Sequence, residues 1–365
     1  MLSLIVEKIY QLIFWTSILL LPVDFYAQES SSVDWIRPND ERDNAMWGIK
    51  GGIVVGLWPT SIEYKEGSFS GGPRGLFRMG LEASGQIHML NFIAIEPVVD
   101  GELEFSEISP SRVDGKWGKL MWAGDHKDPG SFYPAAGARG VITHPDPINP
   151  AVEQLSFYIF LEKFLSGAHP YIKVNIRSDR PEEIGFVIYN REGSADMERC
   201  VLTATMGNYS RMRLLHLNEE IIDARKLYQD YEDVHFIEKE EYPRKEIYRN
   251  AQGDYLAAIE TNESFSELAS WPQTPEYFAR QNWRYSPFFK IVQYWRKEGN
   301  QAKESLRVRV NGRSTYWAGA SNDKSRYVKI PGGPAFENFE MREEYYAGQT
   351  FYFGISRKPI EKILE

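Results

Sequence analysis

The feature that most constrains this chain is its punctuation. From Trp47 onward, short apolar runs alternate with turn residues about every 8–12 positions. Gly52–Leu57 reads GIVVGL, Leu90–Val99 reads LNFIAIEPVV, and Leu155–Leu165 reads LSFYIFLEKFL. Tyr171–Ile176, Ile184–Tyr189, Phe288–Trp295, Leu306–Val310 and Thr350–Ile355 continue the series. Several alternate with period two, as YIKVNI and LRVRV do, and Val, Ile, Tyr and Phe are the residues strands favour. Between them lie Gly/Pro clusters such as SGGPRG, VDGKWG, DPGSFYP, HPDPINP and PGGP. They are turn signals too dense for long helices. The pattern predicts an all-β chain, a large antiparallel β-sandwich.

Composition narrows the rest. The 51 acidic against 42 basic residues give a net charge of −9, which argues against general nucleic-acid binding. The lone Cys200 supplies neither an internal disulfide nor a cysteine zinc cluster. With 10 Trp, 21 Tyr and 20 Phe, the chain suits a large β core and a surface that stacks on ring-shaped ligands. Ile9–Val23 is an apolar run after Lys8, too short for the ~20 residues of a membrane-spanning helix. It fits a secretory signal ending at Ala27, so residues 1–27 are expected to be removed. The mature chain would then be periplasmic or secreted by a bacterium, with no integral membrane span.

Residues 28–365 read as a single domain. Asn218–Tyr231 fits either a helix or two short strands around Asp223–Ala224, and its strand-rich neighbours favour the strands. The Glu/Lys-rich stretch from Ile237 to Arg249 reads as a solvated excursion, giving a surface insertion near 218–250.

No strong catalytic signature is present, neither Gly-x-Ser-x-Gly, nor a phosphate loop, nor His-Glu-x-x-His, nor a dinucleotide fingerprint. The six histidines lack metal-ligand spacing, so neither metal nor cofactor is expected. Candidate chemistry sits in four clusters. In Gly71–Leu76, glycines on both sides of Pro73-Arg74 would fix Arg74 as an anion clamp or as a turn arginine in a salt bridge. In Asn91–Pro97, alternation puts Asn91, Ile93 and Ile95 on one face, with Phe92, Ala94 and Glu96 on the other. Glu96 is then a buried structural acid or, with Glu107, a carboxyl pair for glycoside hydrolysis.

The third cluster, Trp122–Pro134, holds His126 between Asp125 and Asp128, with Tyr133 and the neighbouring Arg139. An aspartate could fix the His126 tautomer for proton transfer. The alternatives are an exposed turn histidine and a calcium-like oxygen site. The fourth, Thr205–His216, would set Tyr209, Arg211, Arg213 and Leu215 on one face of an extended strand, with His216 opposite. Two arginines and a tyrosine on one face make an anion site; an ordinary exposed strand face is the competing reading.

The runs GGPRGLFRMG, NFIAIEPVV, AGDHKDPGSFYPAAGARG, TMGNYSRMRLLHL and PGGPAFENFEMRE resemble a secreted family of bacterial polysaccharide-degradation clusters that includes an ulvan oligosaccharide dehydratase. The similarity spans about residues 44–355. It implies removal of water from a non-reducing-end uronic acid to give a 4,5-unsaturated uronate, without a redox cofactor. The partner would be an anionic oligosaccharide. Such chemistry needs a carboxylate clamp, a base for the C5 proton and an acid for the leaving 4-hydroxyl. Arg74, Arg139, Arg211 and Arg213, aided by Asn91 and Tyr133, suit binding, and His126, Tyr209 and His216 suit proton transfer. A glycoside hydrolase using Glu96 and Glu107, and a non-catalytic glycan-binding protein, are the competing expectations.

Overall fold

The computed structural model describes residues 33–38, 45–57, 74–128, 138–205, 210–229, 239–261, 283–284, 291–316 and 328–365. The expected signal, Gly71–Pro73, Tyr133 and Tyr209 lie outside them. The residues from Val33 to Glu365 form one compact unit.

The described residues build two large antiparallel sheets, as the turn punctuation predicts. In the first, β1 (Trp35–Ile36), β2 (Met46–Ile49), β3 (Ile53–Gly56), β4 (Leu76–Ala83) and β5 (Gln86–Val99) run as a meander. A short β6 (Glu102–Leu103) folds back on the end of β5. In the second sheet, β7 (Met121–Gly124) and β8 (Val141–Thr143) both pair with β9 (Gln154–Leu161). Next come β10 (Pro170–Arg177) and β11 (Glu183–Asn190), before the chain returns to the first sheet as β12 (Arg199–Thr205), beside β5.

It crosses again for β13 (Met212–His216) and β14 (Ile221–Asp223), then makes a one-turn helix, α1 (Ala224–Leu227). The strand β15 (Glu240–Pro243) edges the first sheet, whereas β16 (Tyr248–Arg249) and β17 (Tyr255–Thr261) join the second. The pair β18 (Trp283–Arg284) runs parallel to the start of β5. Finally β19 (Val292–Lys297) and β22 (Gln349–Ser356) complete the second sheet, and β20 (Arg307–Arg313) and β21 (Ala335–Arg342) the first. A terminal helix, α2 (Ile360–Leu364), follows.

Period-two patterning produces the layers. Along β10, Ile172, Val174 and Ile176 are fully buried between the sheets, while Tyr171, Lys173 and Asn175 face outward. Aromatic pairs lock the sheets face to face. Trp47 stacks on Phe157 with centroids 4.1 Å apart, and Trp295 donates its indole N–H to the Phe339 carbonyl at 2.9 Å.

The 218–250 region departs from expectation. Asp223 ends a strand and its side chain accepts from the Arg225 N–H, capping α1, so the segment is strand then helix. The expected solvated excursion contributes β15 to one sheet and β16 to the other. Glu240, Glu241 and Arg249 are exposed on these short strands, where charge is the usual protection, and Arg244–Glu246 form a single 3-10 turn between them.

The bend expected beside Arg74 is present. Gly75 has φ +75°, and a Cβ there would lie 1.9 Å from the Ser106 carbonyl oxygen. Gly75→Ala is therefore expected to cost more than about 1 kcal/mol, combining a left-handed backbone with a backbone clash. A thermal melt reads it, and an unchanged Tm would refute the close approach.

Candidate functional site

The predicted alternation of β5 is realised. Ile93 and Ile95 enter the main core, whereas Phe92, Ala94 and Glu96 lie on the outer face of the first sheet. On that face a cross-strand row forms through register: Glu241 opposes Arg309, Arg309 opposes Glu340, Glu340 opposes Thr203, and Thr203 opposes Ala94. Arg309, Glu340 and Thr203 are each flanked by inward apolar residues, such as Val308 and Val310 around Arg309.

Glu96 stands diagonal to Thr203, within reach of this row. Thr203 Oγ1 donates to Glu340 Oε2 at 2.8 Å, Arg309 Nε donates to Glu340 Oε1, and Lys239 Nζ lies 3.9 Å from Glu340 Oε2. Glu96 and Glu340 are almost wholly buried, and Oε2 of both Glu96 and Glu107 is buried with no hydrogen-bond partner among the described residues. Glu107 is half-buried as a residue, so its carboxyl group carries the burial.

It is placed by Ser106, whose hydroxyl donates to the Gly75 carbonyl and accepts from the Ile95 N–H. Burial pushes the Glu96 carboxyl up to about 8, helped by the neighbouring Glu340 and Glu107 and opposed by Lys239 and Thr203. Burial likewise pushes Glu107 up to about 7. Both hold protons near neutrality, which leaves the cations Lys239 and Arg309 facing the Glu340 carboxylate. Carboxyls raised into the neutral range are the kind of group that acid–base chemistry uses.

The residues singled out from sequence disperse. Arg74 is buried in a two-pronged salt bridge to Asp114 (2.7 and 3.0 Å), which holds Asp114 down to about 2. Asn91 points between the sheets and donates to Gln293 Oε1 at 2.5 Å. His126 is exposed, and Asp125, expected to orient it, instead accepts the Gly140 N–H at 2.6 Å. Arg139 is exposed.

The expected single face of Arg211, Arg213 and Leu215 does not form. Arg211 has φ +48° in a turn, and a bulge lies between Met212 and Leu214. Both arginines are fully buried. Arg211 Nε donates to the Tyr316 hydroxyl at 2.8 Å, and Arg213 donates to the carbonyls of Gly333 (3.1 Å) and Pro334 (3.2 Å). They fasten the start of β13, in the second sheet, to the segments that follow β20 and precede β21 of the first.

His216 bonds Glu260 at 2.9 Å. Seven strand steps separate its strand β13 from β7, the strand that leads into His126. At about 4.8 Å per step that is on the order of 30 Å, so the two histidines do not share a site. Among the described residues no group of His, Cys, Asp and Glu could hold a metal ion.

The alternation in LRVRV carried the signal for Arg309. Glu340, Thr203 and Lys239 needed the strand order to be found. Comparison with known proteins adds little. No protein-family model and no curated protein matches the chain. One solved chain, described as "Crystal Structure Analysis of HI1317", aligns over 88% of this chain and 98% of its own at 10% identity and a TM-score of 0.24. Likeness at that score carries no argument.

Proposed function

We propose that this chain is an exported carbohydrate-active dehydratase. It would remove water from the non-reducing-end uronic acid of an acidic, ulvan-type oligosaccharide, using the Glu96–Glu107 pair for proton transfer. The observation that carries the reading is a buried pair of proton-holding carboxyls beside Lys239 and Arg309. An acidic sugar would meet neutral acids there, with the cations Lys239 and Arg309 close by.

The chemistry follows. A carboxylate form of the pair takes the C5 proton, the electron pair forms the C4–C5 double bond, and the C4–O bond breaks as the protonated partner delivers its proton. Water leaves, and one proton has been taken and one given. Lys239 and Arg309 offset the charge that builds on the sugar carboxylate as C5 loses its proton. His126, Tyr209 and His216 are not needed in this scheme.

A paired-carboxyl glycosidase is the second reading, favoured by the same two acids. Mass spectrometry of uronate-ended oligosaccharides separates the two. Loss of one water is expected for the dehydratase. Gain of one water with chain cleavage would assign a hydrolase, and unchanged masses would remove enzymatic activity on these sugars.

A further inference from the structure

The outer face of the second sheet carries an aromatic row that the carboxyl site does not use. Trp122, Phe160, Tyr171 and Tyr189 stand directly opposite one another across β7, β9, β10 and β11. Their successive ring centroids are 6.0, 5.7 and 5.3 Å apart, and Tyr171 and Tyr189 are stacked at 21°. Tyr158 flanks the row, 6.1 Å from Phe160 and 6.2 Å from Tyr171. Three strand spacings of about 4.8 Å make the row about 14 Å long. Trp122 and Phe160 are buried, and the Arg191 guanidinium lies over the Phe160 ring at 5.9 Å. The three tyrosines are half-buried, so they form the accessible part of the strip.

The polar groups of this face are also available. Lys173 sits across from Tyr158 on one side and Val187 on the other. Among the described residues, neither its ammonium nor the hydroxyls of Tyr158, Tyr171 and Tyr189 has a hydrogen bond or ion pair. The groups that act on the Tyr171 phenol are the two other tyrosines and the Arg191 cation, with no carboxylate among them. Flat aromatic faces suit the C–H faces of sugar rings, phenol hydroxyls suit sugar hydroxyls, and Lys173 with Arg191 suits a carboxylate or sulfate.

We propose that this face is a second, non-catalytic binding platform for an acidic polysaccharide, stacking sugar rings on Tyr158, Tyr171 and Tyr189 with Lys173 as the anion contact. The choice of an acidic glycan rests on the proposed function and on the cationic character of the face. The platform would hold the polymer while chain ends are processed on the opposite face of the sandwich.

The test is affinity electrophoresis of the full chain carrying Glu96→Gln, in gels containing ulvan or neutral xylan. Retardation is expected in ulvan and not in xylan. Tyr171→Ala with Tyr189→Ala should weaken it about tenfold or more, which is about 1.4 kcal/mol. Tyr171→Phe with Tyr189→Phe, which keeps the rings, should retain most of it. Should the alanine pair fail to fold, Lys173→Glu decides, since it reverses the charge of a side chain with no partner among the described residues and should abolish retardation.

Unchanged retardation in a folded alanine pair, or in Lys173→Glu, overturns the platform. So does a change of oligomeric state in the tyrosine variants with retardation unaltered, which would assign the face to a second copy of the chain. Mass change on short oligosaccharides by the tyrosine variants, with Glu96 intact, should equal that of the parent. The platform and the carboxyl site therefore fail independently: retardation without any mass change refutes only the dehydratase.

Discussion

Lys297→Met is expected to destabilise the protein by about 3–5 kcal/mol, the range for removing one partner of a buried ion pair. Lys297 lies at the inward end of β19, and both its side chain and that of Glu343 are fully shielded from solvent. Their charged atoms are 2.6 Å apart. The ammonium also donates to the Tyr346 hydroxyl at 2.9 Å and sits 4.5 Å from the Phe351 ring centre. Glu343 follows β21 of the first sheet, so the pair joins the two layers. Burial lowers the Lys297 pKa and the Glu343 carboxylate opposes that shift.

Removing the ammonium leaves a carboxylate in the interior with one backbone donor, the Lys303 N–H. That charge is costly, because no cation remains beside it to offset its burial. The double variant Lys297→Met with Glu343→Leu removes both charges and should recover most of the loss. Urea unfolding measures all three. A deficit under about 1 kcal/mol in the single variant would show that the pair is not buried in solution.

The fold was legible because it rests on a local signal. Period-two runs and Gly/Pro turns specify strands and their faces one strand at a time, so alternation alone puts Asn91 and Glu96 on opposite sides of β5. The candidate site was not legible, because it is assembled by register across strands distant in sequence. Thr203, Arg309 and Glu340 belong to three strands, and no spacing in the chain announces that β12 lies between β5 and β21. In the Gly/Pro-rich loops, Asp114 holds Arg74 and Asp125 holds the Gly140 N–H, so these two acids serve the loops themselves. The Thr205–His216 reading assumed an unbroken strand. One left-handed residue, Arg211, and one bulge were enough to turn its arginines toward carbonyls and Tyr316.

Glu96→Gln is expected to lower turnover on a uronate-ended oligosaccharide by about 100- to 10,000-fold, the usual cost of deleting a general acid or base. The same substitution should raise stability at alkaline pH. In the folded chain Glu96 titrates near 8 and Glu107 near 7, against about 4.3 for an unfolded glutamate. Between these values the native state binds more protons than the unfolded one, so stability is full below about pH 4 and falls as pH rises toward 8.

Glutamine mimics the protonated form and cannot ionise. Glu96→Gln should match the parent at pH 5, exceed it at pH 9, and show a shallower decline between them in urea unfolding across pH. Glu107→Gln should do the same to a smaller extent, with its inflection about one pH unit lower. A gain in alkaline stability joined to a loss of turnover is the signature of a group held against its stability for chemistry. His126→Ala, altering an exposed loop residue, should leave both quantities near those of the parent. Parent-like turnover in Glu96→Gln, together with inactivity of His126→Ala, would return the chemistry to the Asp-His-Lys-Asp loop.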